Sequence, residues 1–444
     1  MLIITQTSDT IKDLNFITGE LWRYLPKAQI AALDPAEPRT LKVLTGELYS
    51  ACYPEISYDG EYMLFAAQQE EGDLWQIWEM ELGSHESRKV TSLSEDCIDP
   101  AYLPGGRLVF TKLTANDTVK TAHCLYTCNT DGSAVRQITF SPLACFATTV
   151  LKDGRLLTVS RQLLPDQGAP MFMVLRPDGT KADMFYKGAE GNALISRGRE
   201  TTNGKIVFIE SENGNPAGQD IISINYNRPL HSRVTLLPDI EGTFNSVLPL
   251  PSGRLLVSYR KPDSVNFALY EFDPAGKSPG KAIYANQELN VLDVVVAEKY
   301  TRPKKLPSEV DMGAKTGLLL CQDINFMGFQ PVTNGSCSVK ASSAEILGID
   351  STYGVVQVEE DGSFYLKVLA DTPFQIRTLD KDGNVLYGPC SWLWLRPNER
   401  RGCVGCHEDP ELVPVNRVPF AVKKLPVIIP VHISEVKEKG VELE

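Results

Sequence analysis

No stretch of this chain approaches the eighteen or so consecutive apolar residues that a membrane-spanning helix needs, so no transmembrane segment is expected. Clustered Lys and Arg are also missing. With 44 Lys+Arg against 56 Asp+Glu and a net charge of -12, the chain offers no surface for a phosphate backbone, and nucleic acid is excluded as a partner. The opening residues, MLIITQTSD (Met1 to Asp9), have neither a charged n-region nor a long apolar h-region, so no signal peptide is recognisable there. Histidine is scarce, at five residues. What the chain does have is length, with 444 residues at 43% hydrophobic content, enough to bury a core without covalent help.

Cysteine is intermediate: ten residues are too few for a disulfide scaffold and more than a reduced cytosolic protein usually carries. Two of them fall in one motif, treated below, and the remaining eight allow roughly a hundred pairings, so connectivity stays open. One pairing is excluded. Cys124 and Cys128 lie in CLYTC, which reads as a strand; residues four apart along a strand are roughly 13 Å apart, beyond disulfide reach.

A turn containing Gly followed by a short apolar run recurs at Asp59-Gly60, Gly105-Gly106, Asp153-Gly154, Asn203-Gly204 and Ser252-Gly253, at intervals of about 48 residues. The runs after the turns, EYMLFAA, RLVFTK, RLLTVS, KIVFIE and RLLVSY, are rich in β-formers and read as buried strands. A strand precedes each turn and a second pair follows, as in MFMVLRPDGTKADMFY. Four strands in such a period describe a propeller blade, which buries its faces only against its neighbours. The regular intervals weigh against two sandwiches with chance spacing. The expected fold class is all-β, with a β-propeller over residues 1–305. Five blades are legible from about Ala51 to Ala297, and the strands near Leu2 to Ile4 and Gln29 to Leu44 supply most of a sixth, closed by a late segment; seven blades is the alternative.

The pattern changes after RPKKLP (Arg302 to Pro307), a linker of the kind that marks domain boundaries. Alternating strands joined by Asp-Gly turns then predict a small antiparallel β-sandwich over 306–395. Residues 396–444 form a last segment, expected to pack back on the propeller.

That segment carries the chemistry. Arg401-Gly402-Cys403-Val404-Gly405-Cys406-His407 is a full C-x-x-C-H. Two thiols add to the two vinyl groups of haem, and an imidazole next to the second thiol reaches iron from the same face. A zinc knot needs a second C-x-x-C or paired His nearby, and a thioredoxin-like dithiol belongs beside a βαβ unit; the sequence has neither. One covalent haem c is therefore expected, with Cys403, Cys406 and His407 as attachment and metal ligands, and with it an extracytoplasmic location, periplasmic or extracellular. The sixth iron position decides between electron transfer and chemistry. His432 in PVIIPVHISEV is the candidate nearest in sequence; His85, His123 and His231 would need the haem to dock on the propeller. Arg396, Arg400 and Arg401 suit bidentate pairing with haem propionates, or form a solvated basic turn. Trp392 and Trp394 alternate along SWLWL, share a face, and either wall the haem or pack the sandwich.

The segments SACYPEISYDG, WQIWEM, DPAYLPGGRLVFT, LYTCNTDG, EGNALISRGRE and RPNERRGCVGCHEDPELVPVNRVP together resemble the hydrazine synthase alpha subunit family over about Ile30 to Leu425. The resemblance implies a six-bladed propeller with a haem against it, in a secreted or periplasmic multihaem assembly acting on small nitrogen compounds, with other cytochromes or redox subunits as partners. It also implies a second haem, whereas these 444 residues hold one C-x-x-C-H. The family's active haem is associated with a Tyr four residues after the motif His and with a zinc held partly by a propeller Cys. Here the first position is Glu411, and Cys52 and Cys97 are the thiol candidates, for which plain burial is the competing reading.

Two redox functions and one without redox chemistry follow. In a haem oxidoreductase subunit, Glu411, Asp409 or Glu408 would serve as proton donor or acceptor near iron on a small substrate. In an electron-transfer cytochrome, the propeller would be a docking surface. In a binding scaffold, the haem would staple the C-terminal segment.

Overall fold

A short apolar strand bracketed by Gly turns can bury both faces only when a further sheet covers each side, and the repeats fold in that way. The structure, a computed structural model, describes residues 1–8, 24–212, 218–238, 240–276, 278–326, 339–405 and 416–430. Among these, six sheets form the blades of a propeller. The second blade runs Ser50–Ile56, Tyr62–Gln68, Gln76–Glu81 and Ser87–Lys89, and the third Cys97–Leu103, Arg107–Asn116, Lys120–Asn129 and Arg136–Gln137. Leu143–Val150, Leu156–Gln162, Met171–Leu175 and Asp183–Tyr186 make the fourth. The fifth is built on Lys205–Glu212 and the sixth on Leu255–Arg260.

The first blade closes the ring. Asn290–Val296 pairs with Leu2–Thr7, which pairs in turn with Ala28–Leu33 and Lys42–Val43, so a late strand joins three N-terminal ones. The count is six, with the closure read from the sequence. Phe65, Phe110 and Phe208, near the middle of their blades' second strands, are fully buried, as strands stacked on both faces require.

The linker then crosses one face of the ring over the Gly turns. Gly154 sits at φ +91°, and a Cβ there would lie 2.1 Å from the Lys304 carbonyl oxygen, so glycine is needed both for the turn and for the passage of the linker. Beyond it two sheets form the sandwich. One is antiparallel throughout, in the order Thr352–Gln357, Ser343–Leu347, Gln375–Leu379, Val385–Tyr387. The other places Thr316–Cys321 and Phe364–Leu369 at its centre, with Arg400–Cys403 and Val427–Ile429 as its edges, both paired in parallel. The expected division at residue 395 and the expected purely antiparallel sandwich are therefore corrected. Cys403 is part of the sandwich, on an edge strand that pairs in parallel because a long connection rather than a hairpin leads into it.

The sandwich docks on the flank of the propeller through tryptophan. Trp392 and Trp394 are 4% and 1% exposed and pack in one cluster with Leu103, Val109, Leu125, Leu156 and Leu175 of the third and fourth blades. The Trp392 indole N–H donates to the Leu164 carbonyl at 2.5 Å. Their shared face is confirmed, and it points into the propeller.

Candidate functional site

Strand Arg400–Cys403 presents the first cysteine of the motif. It pairs with Thr316–Cys321 in the register Cys321↔Cys403, and Cys403 is half-buried while Cys321 is buried. The following residues continue along the same neighbour, as the Gln322 N–H donates to the Cys403 carbonyl and the Asp323 N–H to the Val404 carbonyl. At Gly405 the fit is tightest. A Cβ there would stand 2.0 Å from the Phe326 carbonyl oxygen, so only glycine lets the backbone between the two cysteines lie against the sandwich. Cys406, His407, Glu408, Asp409, Glu411 and His432 lie outside the described residues.

Further on, the NRVP segment is anchored by Arg417, which donates to the Gln322 carbonyl at 3.1 Å and to the Asp361 carbonyl, and pairs with Asp323 at 3.5 Å. The Asp361 carboxylate accepts the Phe420 N–H at 2.9 Å, and Lys424 pairs with Glu359 at 2.6 Å. Both sides of the motif are thus tied to one sheet. An edge-strand thiol that is half-exposed, on a backbone fixed by a glycine contact, with a second thiol and an imidazole three and four residues on, is a donor set that fits covalent haem.

The arginines before the motif divide. Glu399, 1% exposed, accepts the Lys181 N–H at 2.8 Å and the Arg401 Nη2 at 2.8 Å on one oxygen, and the Arg396 N–H at 2.8 Å on the other. Arg396 pairs with Asp371 at 2.6 Å, donates to the Asp178 carbonyl at 3.0 Å and stacks over Phe140. Arg401 is thus held by buried Glu399, which also takes a propeller N–H, and Arg396 spans from Asp371 of the sandwich to the Asp178 carbonyl and Phe140 of the propeller; these partners outcompete a solvated propionate for guanidinium groups already out of water. Arg400 is exposed and its guanidinium makes no hydrogen bond or ion pair among the described residues, so of the three it alone stays available to a propionate. Trp392, expected as a possible haem wall, is engaged with the fourth blade instead. Glu399 went unnoticed in the sequence, where a charged residue between two arginines reads as solvated.

A second cluster lines the propeller axis. The innermost strands of the second, third and fourth blades each carry a bulge at the same level, with Tyr53, Asp99 and Ala147 at φ 58°, 52° and 52°. Asp99 is fully buried; it accepts the Ala147 N–H at 3.0 Å and faces Arg197 at 3.4 Å. Glu55 faces Arg197 at 3.5 Å and Arg199 at 3.3 Å. Burial, then the neighbouring Arg199, lower the Arg197 pKa, while Glu55, Asp293 and Tyr53 oppose that shift. These residues sit in the CYPE, IDP and SRGRE segments. A buried acid inside the apolar strand CIDPAYL was the signal that such a network exists.

Of the remaining candidates, His85 and His231 lie at the propeller surface, His85 with a ring nitrogen 3.3 Å from the Lys42 amine, whereas His123, Cys52 and Cys97 belong to its interior. The His123 ring accepts from or donates to the Tyr24 hydroxyl at 2.9 Å and lies 4.7 Å from the Phe146 ring. Burial pushes its pKa down to about 4. Since the unfolded imidazole titrates near 6.5, this group's contribution is fully present above that pH and is lost as pH falls from about 6.5 to 4. Chemical denaturation of wild type and His123→Phe across that range should show the wild type losing up to about 3 kcal/mol more between pH 7 and 4; parallel curves would show the ring to be free to protonate. Cys52 and Cys97 are fully buried, and burial pushes the Cys97 thiol up to about 12. Among the described residues no three His, Cys, Asp or Glu gather to hold a metal, and Cys52 and Cys97 do not fit a zinc site there. Cys124 and Cys128 do not bond to each other, as their spacing requires, and both are free thiols.

With the geometry in place, the chain can be compared with known proteins. Residues 287–408 match the model of the hydrazine synthase alpha subunit middle domain, a span that runs from the ring-closing strand through the sandwich to the motif histidine. Hydrazine synthase subunit alpha of Kuenenia stuttgartiensis is 22% identical over 513 aligned residues, covering 86% of this chain and 63% of that protein. The chain thus spans less than two thirds of the curated relative's length. The solved structure of Kuenenia stuttgartiensis hydrazine synthase superposes with a TM-score of 0.80 at 20% identity, covering 95% of this chain and 71% of that one.

Proposed function

We propose that this chain, which resembles the hydrazine synthase alpha subunit in sequence, middle domain and fold, is an extracytoplasmic mono-haem c-type protein that takes part in redox chemistry on a small nitrogen compound within a larger assembly. The observation that carries the reading is the placement of Cys403, the first residue of C-x-x-C-H, on an edge strand, with Gly405 fitted against Phe326. The alpha subunit it resembles belongs to hydrazine synthase, which supports a subunit role.

In this reading Cys403 and Cys406 hold the haem, His407 ligates its iron and Arg400 pairs with a propionate. The haem supplies one-electron redox exchange and a site where a small ligand meets iron. Glu408, Asp409 and Glu411, directly after the ligand, hold and move protons for the substrate. The ties at Arg417, Asp361 and Lys424 fix the chain that follows on the sandwich. Zinc is left out of this reading, since among the described residues no three His, Cys, Asp or Glu gather at Cys52 or Cys97.

Optical and paramagnetic resonance spectra of the purified protein, oxidised and then reduced, with and without carbon monoxide, test the reading. High-spin iron that binds carbon monoxide on reduction is the expected result. Low-spin iron indifferent to carbon monoxide would move the function to electron transfer, and absence of any haem spectrum would end the proposal.

A further inference from the structure

The linker that joins the propeller to the sandwich does more than connect them, because it roofs a cleft of about 610 Å³ against the third and fourth blades. That volume lies in the range of small-molecule sites. Its charge runs opposite to that of the chain. Arg107, Arg136, Lys304, Lys305 and Arg396 line it against two carboxylates, Asp178 and Asp371, an excess of three positive charges in a protein of net charge -12.

Both carboxylates are already committed. Asp371 pairs with Arg396 at 2.6 Å. Asp178 accepts the Thr180 hydroxyl at 2.7 Å, the Glu309 N–H at 2.7 Å and the Ser308 hydroxyl at 3.1 Å; burial opposes its ionisation, but these bonds outweigh it and hold its pKa low. Arg107 donates only to neutral acceptors, the Asn129 amide oxygen at 2.8 Å, the Thr127 hydroxyl at 2.9 Å and the Ala134 carbonyl at 3.3 Å. Burial, and next to it the like charge of Arg136, lower the Arg107 pKa. Two guanidinium groups that repel each other, with no carboxylate among the described residues paired to either, are an arrangement that an anion stabilises. The lining also carries apolar side chains, Leu103, Ile138 and Phe140 from the propeller and Leu306, Val310 and Met312 from the linker, the last 63% exposed.

We infer that this cleft is a binding site for a small organic anion, a carboxylate or phosphate head on an apolar body, with Arg107 and Arg136 taking the head and the Leu306 to Met312 side of the linker covering the body. Such a ligand touches the propeller, the linker and the sandwich at once, and so bears on how the haem segment is held to the ring. The inference rests on the cleft alone and stands whether or not haem is attached.

Isothermal titration calorimetry of the full chain with sodium octanoate, and separately with sodium phosphate, tests it. Octanoate should bind saturably at one site, more tightly than phosphate, and more weakly as salt is raised. The Arg107→Gln/Arg136→Gln double variant should weaken octanoate binding at least tenfold, since bonds to a charged group are lost. Arg136→Gln alone, at an exposed side chain, should weaken it without altering the thermal unfolding curve, which separates binding from folding. No saturable octanoate binding, or equal binding by the double variant, overturns the site; phosphate binding as tight as octanoate overturns the role given to the apolar wall.

Discussion

Replacing both Cys403 and Cys406 with Ser is expected to abolish covalent haem altogether. The two thioether bonds are the only covalent links that C-x-x-C-H makes to the porphyrin, so a chain without either thiol keeps nothing through denaturation. Produced alongside a c-type maturation system in an exporting host, the wild type should carry one haem by mass and stain for haem on a denaturing gel, and the double variant should do neither. Cys403→Ser alone should leave one thioether, because Cys406 and His407 remain. His407→Ala should keep the attached haem but change its spectrum, since the link to carbon survives while the ligand to iron is lost. Covalent haem on the double serine variant would relocate the attachment, and a wild type that matures without haem would sink the cytochrome reading. The other described cysteines of the propeller make poor substitutes: Cys52, Cys97, Cys124 and Cys145 are fully buried, and burial raises the thiol pKa of Cys124 to about 12.

The second large effect is expected at Glu399. Its carboxylate, buried, gathers the Arg401 guanidinium and the Arg396 and Lys181 backbone N–H groups, joining chain segments 218 residues apart. Glu399→Ala strips the partner from a guanidinium that is itself mostly buried and leaves two N–H donors without acceptors, which costs about 3–5 kcal/mol. Because Arg401 lies two residues before Cys403, the loss falls on the strand that presents the motif. Thermal unfolding and timed proteolysis read the result: Glu399→Ala should lower the midpoint and admit cleavage near the Arg400–Cys403 strand, with Glu399→Gln intermediate because its amide oxygen still accepts. Wild-type behaviour of the alanine variant would mean that the tryptophan wedge and Arg396 hold the sandwich in place without Glu399.

Much of this molecule was legible along the chain. The Gly-turn interval and the β-rich runs gave the blades, and the late strand needed for closure was expected before its partner was seen in Asn290–Val296. The C-x-x-C-H needed no fold to be read, since thioether chemistry depends on residues within five positions. The roles of the flanking residues were not legible. Trp392 and Arg401 were read as potential haem neighbours from proximity in sequence, and they turned toward the propeller because the sandwich docks on its flank. The axial network of Glu55, Asp99 and Arg197 was present in quoted segments but could not be assembled from them, since its members come from different blades.

The sequence by itself determined the local features, namely the strands, turns, period and C-x-x-C-H motif, because each depends on residue identities and backbone preferences over a few residues. Only the tertiary structure decided which charges meet. Burial turns Glu399 from a surface acid into the anchor of the motif strand, and the crossing of the linker over the third and fourth blades sets four cations around one cleft without a carboxylate to pair them. Coulomb interactions act on distance in space and strengthen as water is excluded, so residues far apart in sequence acquire their roles only when the ring has closed and the sandwich has docked.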